Sequence, residues 1–403
     1  MFKINDPKAN IRNILHGFFL AVAVTVAEPS TILPLIVHHF SNSVVTVGVF
    51  ASLLKGGAIA VQMWAAFYAQ EYTRVLPYMR LVFFFRWFSW FLIGLAIYFV
   101  GDSNKTLTLW LIGIGLFGFS FTAGFGAIYF KEIIAKVFSK EYRGRTMANR
   151  QIFTAIGSIL SGGVAGYVLE HYEAPLNYAY LFMVSSFLMA IGFIAFGTIN
   201  EPEKKEIRKK EKSFIEFLKN SFGLLKTDKR LKNQIIVILL GFSYLLAYPF
   251  VILKANQTFT LTGWMLGGFI SVQMIGSILG SMFLWRKISD YELMLTLSFV
   301  FMIVAFVVAL FASSIYSYAL IFLLFGMALD GFSISGMNLV IEIAPEDKRP
   351  IYTALQTNLS SIGLFFPVLG GTLLQFVGSY TFIYLLSIAL LGFGLWVSLG
   401  LRR

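Results

Sequence analysis

The chain has 403 residues, of which 58% are apolar and 13% are charged, whereas soluble domains carry roughly 45–50% and 25%. This composition excludes a water-soluble globular domain. The net charge of +12 does not indicate nucleic-acid binding, because the Lys and Arg residues lie between apolar runs. With no cysteine, four scattered histidines and no HExxH motif, we expect neither a metal-centred enzyme nor a cofactor.

Apolar runs follow one another along the chain, each about 20 residues long, the length that a helix needs to cross a bilayer core. They predict an all-α membrane protein with twelve transmembrane helices. In chain order the predicted helices are residues 14–37, 44–70, 79–100, 107–131, 147–169, 178–198, 233–254, 261–285, 291–313, 316–343, 351–377 and 379–400.

The basic residues predict the orientation of these helices. Twelve spans place both termini on one side, and that side carries nearly all Lys and Arg, including those in residues 131–150 and 204–232. Only Lys105 and Lys254 fall on the other side. By the positive-inside rule we expect both termini to be cytoplasmic in a cell-membrane protein. No small-residue cleavage site follows the first apolar run, so we expect this run to be retained rather than cleaved as a signal peptide.

Residues 201–232 form the longest polar segment and predict a basic cytoplasmic linker between an N-terminal half, residues 1–200, and a C-terminal half, residues 233–403. Apolar linker residues at helical spacing are Phe214, Phe217, Leu218, Phe222 and Leu225. Two interpretations stay open, an amphipathic helix on the anionic inner leaflet and a solvated linker whose charges fix the topology.

The two halves resemble each other in sequence. Residues 139–143, before the fifth predicted helix, match residues 345–349 before the eleventh, and the same offset pairs Arg150 with Gln356. An internal parallel repeat of six helices is therefore predicted. Such repeats recur in secondary transporters, which bind substrate between the halves near the bilayer midplane.

The six-plus-six layout, the long basic central loop and the basic loop at residues 140–145 together make the chain resemble the major facilitator superfamily over essentially its whole length. The stripe of small residues at 157–166 is similar to the GxxxGPxxGG motif of proton-coupled drug exporters in that superfamily, with Gly162 in place of the proline. The same small residues also suit close packing between helices, and both interpretations stay open. The resemblance implies that the first, fourth, seventh and tenth helices line a central cavity. We expect a monomer.

Three ionisable residues inside the predicted spans are the main functional candidates, because a charge near the bilayer centre is costly and normally faces a partner or an aqueous cavity. Glu28 lies deep in the first predicted helix, Lys55 about 12 residues into the second, and Asp330 centrally in the tenth. Glu28 and Asp330 are predicted to carry a coupled proton. The alternative is a structural ion pair between Glu28 and Lys55, and in either case we expect Lys55 to be buried beside an acidic or polar partner.

Further polar residues are predicted to line the substrate site together with Lys55. Gln62 shares a helical stripe with Lys55, and Asn338 flanks the face that carries Asp330. Gln356 lies on the polar stripe of the eleventh helix that mirrors Arg150 on the fifth. The remaining candidates, for which ordinary packing is the alternative, are Tyr129, Tyr244, Tyr248 and Gln273.

Two arginines near the cytoplasmic side receive structural interpretations. Arg86 lies about two turns into the third predicted helix, close enough to the surface to snorkel, with Trp87 and Trp90 beside it. Arg150 near the cytoplasmic end of the fifth helix is predicted to be an entrance charge or an anchor to lipid phosphate.

No GxxxxGK[ST] loop occurs, so energy is expected from an ion gradient or from the substrate itself rather than from ATP. We predict a secondary transporter, not an enzyme, that moves a small organic solute by alternating access. Proton-coupled export is the first version, and uptake of a small anionic solute attracted by Lys55 is the second. The competing class is a non-transporting receptor or assembly protein on the same scaffold. The expected partners are the solute, protons and membrane lipids, without nucleic acid.

Overall fold

The computed structural model describes residues 6–69, 72–203, 223–285, 287–288, 290–344 and 349–400. Most of the predicted linker, residues 204–222, and residues 345–348 of the second repeated loop therefore lie outside the described residues. The described part of the chain is helical with short connections and contains no β-strand. It forms two compact units. Unit 1 comprises Met1–Asn42, Leu53–Lys210 and Thr262–Gly267, and unit 2 comprises Ser43–Ser52, Glu211–Leu261 and Gly268–Arg403.

Sixteen α-helices have both ends among the described residues, eight before residue 204 and eight after residue 228. The first eight are α1 (Pro7–Thr25), α2 (Ile32–Phe40), α3 (Val44–Gly56), α4 (Ile59–Ala69), α5 (Leu76–Phe99), α6 (Lys105–Val137), α7 (Lys140–His171) and α8 (Leu176–Gly197). The second eight are α9 (Lys229–Gly241), α10 (Tyr248–Thr258), α11 (Gly263–Leu279), α12 (Tyr291–Phe311), α13 (Ile315–Ile343), α14 (Arg349–Ser360), α15 (Phe366–Val377) and α16 (Tyr380–Leu399). Ten segments of the described chain are long and apolar enough to cross a membrane. The count of twelve stays a prediction.

The first two predicted spans are not continuous helices, and this part of the prediction is wrong. The span at residues 14–37 is divided into α1 and α2 by a turn that contains Glu28 and Pro29. Proline has no backbone N–H and clashes with the preceding turn, so the helix ends before it. The span at residues 44–70 is divided into α3 and α4 at Gly57 and Ala58, where a glycine lowers helix stability.

Three later spans also change their helical geometry. A 3₁₀ segment, Phe242–Leu246, joins α9 to α10, and a second, Ser361–Phe365, joins α14 to α15. Each precedes a proline near the start of the next helix, where proline is tolerated. After α11 the chain continues as a π-helical segment, Gly280–Trp285. Such segments are rare and often occur at functional sites.

Each unit has its own packed interior. In unit 1, α1 packs against α7 and α8, and α5 packs against α6 and α8. The buried Trp90 of α5 donates its indole N–H to Ser185 of α8 at 3.0 Å, which satisfies a polar group away from water. In unit 2, α12 packs against α13 and α16, while α9 packs against α14 and α16.

The stripe of small residues on α7 is a helix-packing surface. A Cβ on Gly166 would come within 2.8 Å of the Gly263 carbonyl oxygen, and a Cβ on Gly267 would come within 2.3 Å of the Gly162 oxygen. The two backbones approach this closely only because none of these residues has a side chain. On another face of α7, Ser161 donates its hydroxyl hydrogen to a backbone carbonyl of α1 at 2.7 Å.

Candidate functional site

Glu28 occupies the turn between α1 and α2. Its carboxylate accepts a hydrogen bond from the Ser30 hydroxyl at 3.1 Å, and its backbone carbonyl accepts from the N–H groups of Thr31 and Leu33, both at 3.2 Å. A backbone that leaves the helix at membrane depth needs such partners, because lipid offers none. The structure therefore places an acidic group at a break in a helix.

Lys55 is not the buried ion-pair partner that we expected for Glu28. Its side chain is exposed near the C-terminal end of α3, and no ion pair within 4.0 Å joins it to Glu28 in the part of the chain that the structure describes. Its charge nevertheless acts on the Glu28 carboxylate.

Asp330 lies in the middle of α13, and two serine hydroxyls hold its carboxylate. Ser277 of α11 and Ser281 of the π-helical segment both donate to Oδ2, the latter at 3.0 Å. No Lys, Arg or His forms an ion pair with Asp330 among the described residues. An acidic side chain with only neutral partners thus lies inside a membrane-spanning helix of unit 2.

Part of the predicted substrate lining lies near Asp330. Gln273, Ser277 and Ser281 follow one another at intervals of four residues, which places them on one face of the helix. Asn338 is eight residues beyond Asp330 on α13, roughly 12 Å along the axis, and its amide donates to Ile334 of its own helix at 2.8 Å. Of these two predicted lining residues, Gln273 shares the face of the serines that bind Asp330, and Asn338 bonds locally.

The other predicted lining residues pack mainly against rings and helices. The Tyr248 ring lies 4.0 Å from that of Phe325 and 5.9 Å from that of Tyr244. Tyr129 is buried beside the rings of Tyr72 and Tyr78. Gln356 is buried on α14 and Gln62 is half-buried on α4.

Three basic residues of unit 1 lie close together, and the sequence analysis does not predict this grouping. His16 of α1 is 3% exposed and lies 3.4 Å from a terminal guanidinium nitrogen of Arg150. Arg86 of α5 stands over the Phe119 ring at 4.2 Å and the Phe193 ring at 5.7 Å, and Phe193 also contacts the His16 ring. Arg86 and Arg150 are close enough for their charges to interact. We call His16, Arg86 and Arg150 the basic cluster.

The snorkelling role assigned to Arg86 is wrong. The helix α5 begins at Leu76, before the predicted start, so Arg86 is its eleventh residue of 24. Its Nε atom is buried and has no hydrogen-bond partner. The guanidinium stacks on aromatic rings of neighbouring helices instead of extending towards the surface, because these rings attract a desolvated cation.

Gly17 makes room for the second arginine. A Cβ at position 17 would come within 2.6 Å of Cγ of Arg150 and 2.8 Å of the Thr154 hydroxyl. The missing side chain lets Arg150 run along α1 towards His16, with its guanidinium 5.0 Å from the Phe130 ring centroid. The arginine therefore points into unit 1. Of its two predicted roles, the anchor to lipid phosphate is wrong, and the entrance charge stays a prediction.

The two arginines lack a compensating acid. Neither forms an ion pair within 4.0 Å in the described part of the chain. Arg86 lies near the centre of the membrane-spanning segment Leu76–Phe99, where an arginine costs roughly 2.5–3.5 kcal/mol on insertion scales, and its cation–π contacts offset part of this cost. Mutual repulsion adds to the cost. The two guanidinium groups are thus left without a counter-charge among the described residues.

An apolar cavity of about 450 Å³ lies beside the basic cluster. Phe83 and Phe193 form part of its wall and also contact His16. Exposed side chains such as Phe84 and Ile194 form the outer rim. Lipid chains fit such a surface without further explanation.

A comparison with protein-family models matches residues 14–366 to the Major Facilitator Superfamily. The chain belongs to this superfamily. As a member it is a multi-pass membrane protein with the fold of secondary transporters, and a transporter rather than an enzyme. A search of curated proteins finds no match.

Solved structures of superfamily transporters share this fold at low sequence identity. A mutant form of the nucleoside transporter NupG superposes with a TM-score of 0.72 at 14% identity, covering 98% of this chain and 100% of that chain. A POT family transporter in complex with 5-aminolevulinic acid gives 0.71 at 12%, covering 98% and 96%. A bacterial homologue of the human lysosomal transporter Spinster gives 0.63 at 13%, with the same coverage. At such identities the likeness shows the fold alone.

Proposed function

We propose that the chain is a secondary active transporter that moves a small organic solute by alternating access and couples this movement to protons through Asp330. The main support is the Asp330 carboxyl group, which lies in a membrane-spanning helix with two serine hydroxyls as partners and no ion-pair partner among the described residues. An ionised carboxylate without a cation is costly in low dielectric, whereas the protonated form is not.

Protonation of Asp330 has a direct structural consequence. The carboxylate accepts hydrogen bonds from Ser277 and Ser281, which ties α11 and the π-helical segment to α13. A proton on the carboxyl group weakens these bonds, since they are strongest when the acceptor is charged. Protonation therefore favours a different packing of these helices, and a proton can bias the conformational equilibrium.

Glu28 is the second proposed proton carrier. It lies at a helix break, and broken helices in transporters are typical of ion and substrate sites. Its carboxylate has the Ser30 hydroxyl as a partner and lies in the field of Lys55. Asp330 is the stronger candidate, because its carboxylate has only serine hydroxyls as partners, whereas the charge of Lys55 disfavours protonation of Glu28.

The wider arrangement belongs to the same proposal. We infer two six-helix halves, cytoplasmic termini and a monomeric protein, with proton-coupled export as the direction. The stripe of small residues that suggested export packs against Gly263 and Gly267, and the proteoliposome assay below measures the direction of transport. The proposed substrate lining comprises Lys55, Gln62, Tyr129, Tyr244, Tyr248, Gln273, Asn338 and Gln356. The fold itself accommodates diverse solutes, since the similar structures include nucleoside and peptide transporters.

The test has two stages. A library of organic solutes is first screened for those that raise the melting temperature of the purified protein. Each hit is then added to proteoliposomes that contain a pH-sensitive dye. We expect at least one hit to drive proton movement, outwards or inwards according to the direction of transport. Solute flux without proton movement would contradict the coupling.

Binding without flux would favour the competing class, a receptor or assembly protein. The buried charges argue against that class, because each costs free energy in the membrane and a scaffold gains nothing from it.

A further inference from the structure

We propose that Arg86 and Arg150 bind the anionic group, a carboxylate or a phosphate, of an organic anion in the interior of unit 1. The claim that the bound anion is the transported substrate rests on the transport proposed above. The claim that the site binds an anion does not. The sequence analysis predicts that an anionic solute is attracted by Lys55, which is exposed in the structure. The proposed anion site lies instead at a pair of arginines.

Unused hydrogen-bonding groups point to a ligand. The Nε atoms of Arg86 and Arg150 are buried and have no acceptor, and Nε2 of His16 has no partner either. Buried polar atoms normally have a partner, so several orphans in one cluster indicate that an acceptor is missing. An oxyanion supplies two or more acceptor oxygens in a geometry that matches the guanidinium fork.

The charge of the site selects an anion. The described part of the chain offers no carboxylate within 4.0 Å of either arginine, and the titratable group that faces Arg150 is His16, itself 3% exposed. Both arginines are partly buried, and two like charges repel each other more strongly there than in water. A bound anion removes this repulsion, so the arrangement favours binding over the empty state.

Aromatic rings hold the two guanidinium groups in fixed positions for anion binding. Arg86 rests on Phe119, and Arg150 lies near Phe130. His16 is surrounded by four phenylalanine rings with centroids 4.8 to 5.8 Å away. Such walls exclude water and fix the guanidinium planes, which reduces the conformational entropy lost on binding. A site of this kind suits an organic anion with an apolar part better than a strongly hydrated inorganic ion.

The test measures melting temperature in neutral detergent, with succinate, glycerol phosphate and inorganic phosphate as probes and sodium chloride at matched ionic strength as the reference. We expect succinate or glycerol phosphate to stabilise the wild type. Arg86→Gln and Arg150→Gln should each weaken binding roughly ten- to hundredfold, because hydrogen bonds to charged groups are lost. Arg80→Gln, an exposed arginine on the same helix that bonds to the Gly197 carbonyl, should bind as the wild type does.

A second measurement separates binding from a structural role. Without ligand, the Arg86→Gln and Arg150→Gln proteins should melt at the same temperature as the wild type or higher, because a repulsive pair has been removed. A lower melting temperature for both, with unchanged probe binding, would overturn the proposal. Failure of all three probes to stabilise the wild type would overturn it too.

A separate experiment tests whether the bound anionic group belongs to a lipid headgroup rather than to a free solute. The protein is placed in nanodiscs of phosphatidylcholine with and without phosphatidylglycerol. Stabilisation by phosphatidylglycerol alone, lost in the two Gln variants, would identify a lipid-headgroup site and overturn the assignment to solute. The Asp330→Asn variant should keep the probe-induced shift. Loss of proton coupling with intact anion binding would therefore count against the transport proposal and not against this one.

Discussion

Ser281 donates its hydroxyl hydrogen to Oδ2 of Asp330 at 3.0 Å from within a π-helical turn. Together with Ser277 it forms the hydrogen bonds that make an ionised carboxylate tolerable at this depth. The double variant Ser277→Ala/Ser281→Ala should slow pH-driven transport about tenfold or more, since hydrogen bonds to a charged group are worth roughly 1.5–3 kcal/mol. Ser335→Ala is the control, because its hydroxyl bonds only within α13. The measurement is the initial rate of pH-driven transport in proteoliposomes. Equal rates for the double variant and for Ser335→Ala would refute this role of the serines.

A buried carboxylate at the start of α5 is expected to be important for stability. The Glu201 side chain is 1% exposed, forms an ion pair with Lys136 at 2.7 Å and accepts hydrogen bonds from the N–H groups of Val75 and Leu76 at 3.1 and 2.7 Å. Removing one partner of a buried pair leaves the other charge uncompensated. Lys136 retains a second acidic partner, Glu132 at 3.7 Å, which offsets part of this loss. We therefore expect Glu201→Gln to lower the free energy of unfolding by about 2–4 kcal/mol.

The matched control is Glu203→Gln. Glu203 pairs with Arg74 at 3.4 Å, but both side chains are more than half exposed, so this change should cost less than about 1 kcal/mol. Thermal unfolding of the two variants in detergent provides the comparison. Similar losses in both proteins would show that the burial of Glu201 does not matter.

The start of α9 should show a pH-dependent contribution to stability. Burial acts to raise the pKa of Asp228, but hydrogen bonds from the Tyr352 hydroxyl and the Leu231 N–H, with the charge of Arg230, lower it overall. A carboxyl group with a depressed folded pKa stabilises above its unfolded value of about 3.9. That contribution is lost as the pH falls through the folded pKa.

Asp228→Asn should therefore be less stable than the wild type near pH 7, by less than about 1 kcal/mol because the group is partly solvated. The difference should shrink as the pH falls below about 4 and through the depressed pKa of the folded state. Melting curves over this range test it, and Tyr352→Phe should show the same trend. A difference that stays constant with pH would exclude the charge as its cause.

The close approach of α7 and α11 predicts different effects for two neighbouring glycines. A Cβ at Gly166 would meet the Gly263 carbonyl at 2.8 Å, while a Cβ at Gly163 would meet nothing within 4 Å. Gly166→Ala should destabilise the protein by about 1–3 kcal/mol through overpacking. Gly163→Ala should be neutral or slightly stabilising, because Ala favours a helix. Melting temperatures check this, and an equal effect of the two changes would contradict the packing assignment.

Hydropathy located most of the membrane-spanning segments but not their internal breaks. The apolar run continues across Glu28 and Pro29, so a continuous helix was predicted where the structure has a turn. Hydropathy measures transfer of side chains and takes no account of the backbone hydrogen bonds that a proline removes. The proline itself was the available signal.

A functional residue could be predicted from the sequence only where the evidence for it lay within a single helix. Asp330 was identified because a central charge in an apolar run is costly, but its partner Ser277 lies on another helix, and sequence gives no register between helices. Arg86 was misassigned because distance from a helix end says nothing about the direction of a side chain. Gly17 and Phe119, which fix the arginine positions, are ordinary residues in sequence.

The most direct test of proton coupling is accumulation of an identified solute in proteoliposomes under an imposed pH gradient, compared between wild type and Asp330→Asn. We expect the Asn variant to ignore the gradient but to keep solute exchange, which needs no net proton movement. Asp290→Asn, which neutralises an exposed helix-capping carboxylate, should behave as the wild type does. If Asp330→Asn responds to the gradient as the wild type does, Asp330 is not the carrier, and if Glu28→Gln responds too, proton coupling is contradicted.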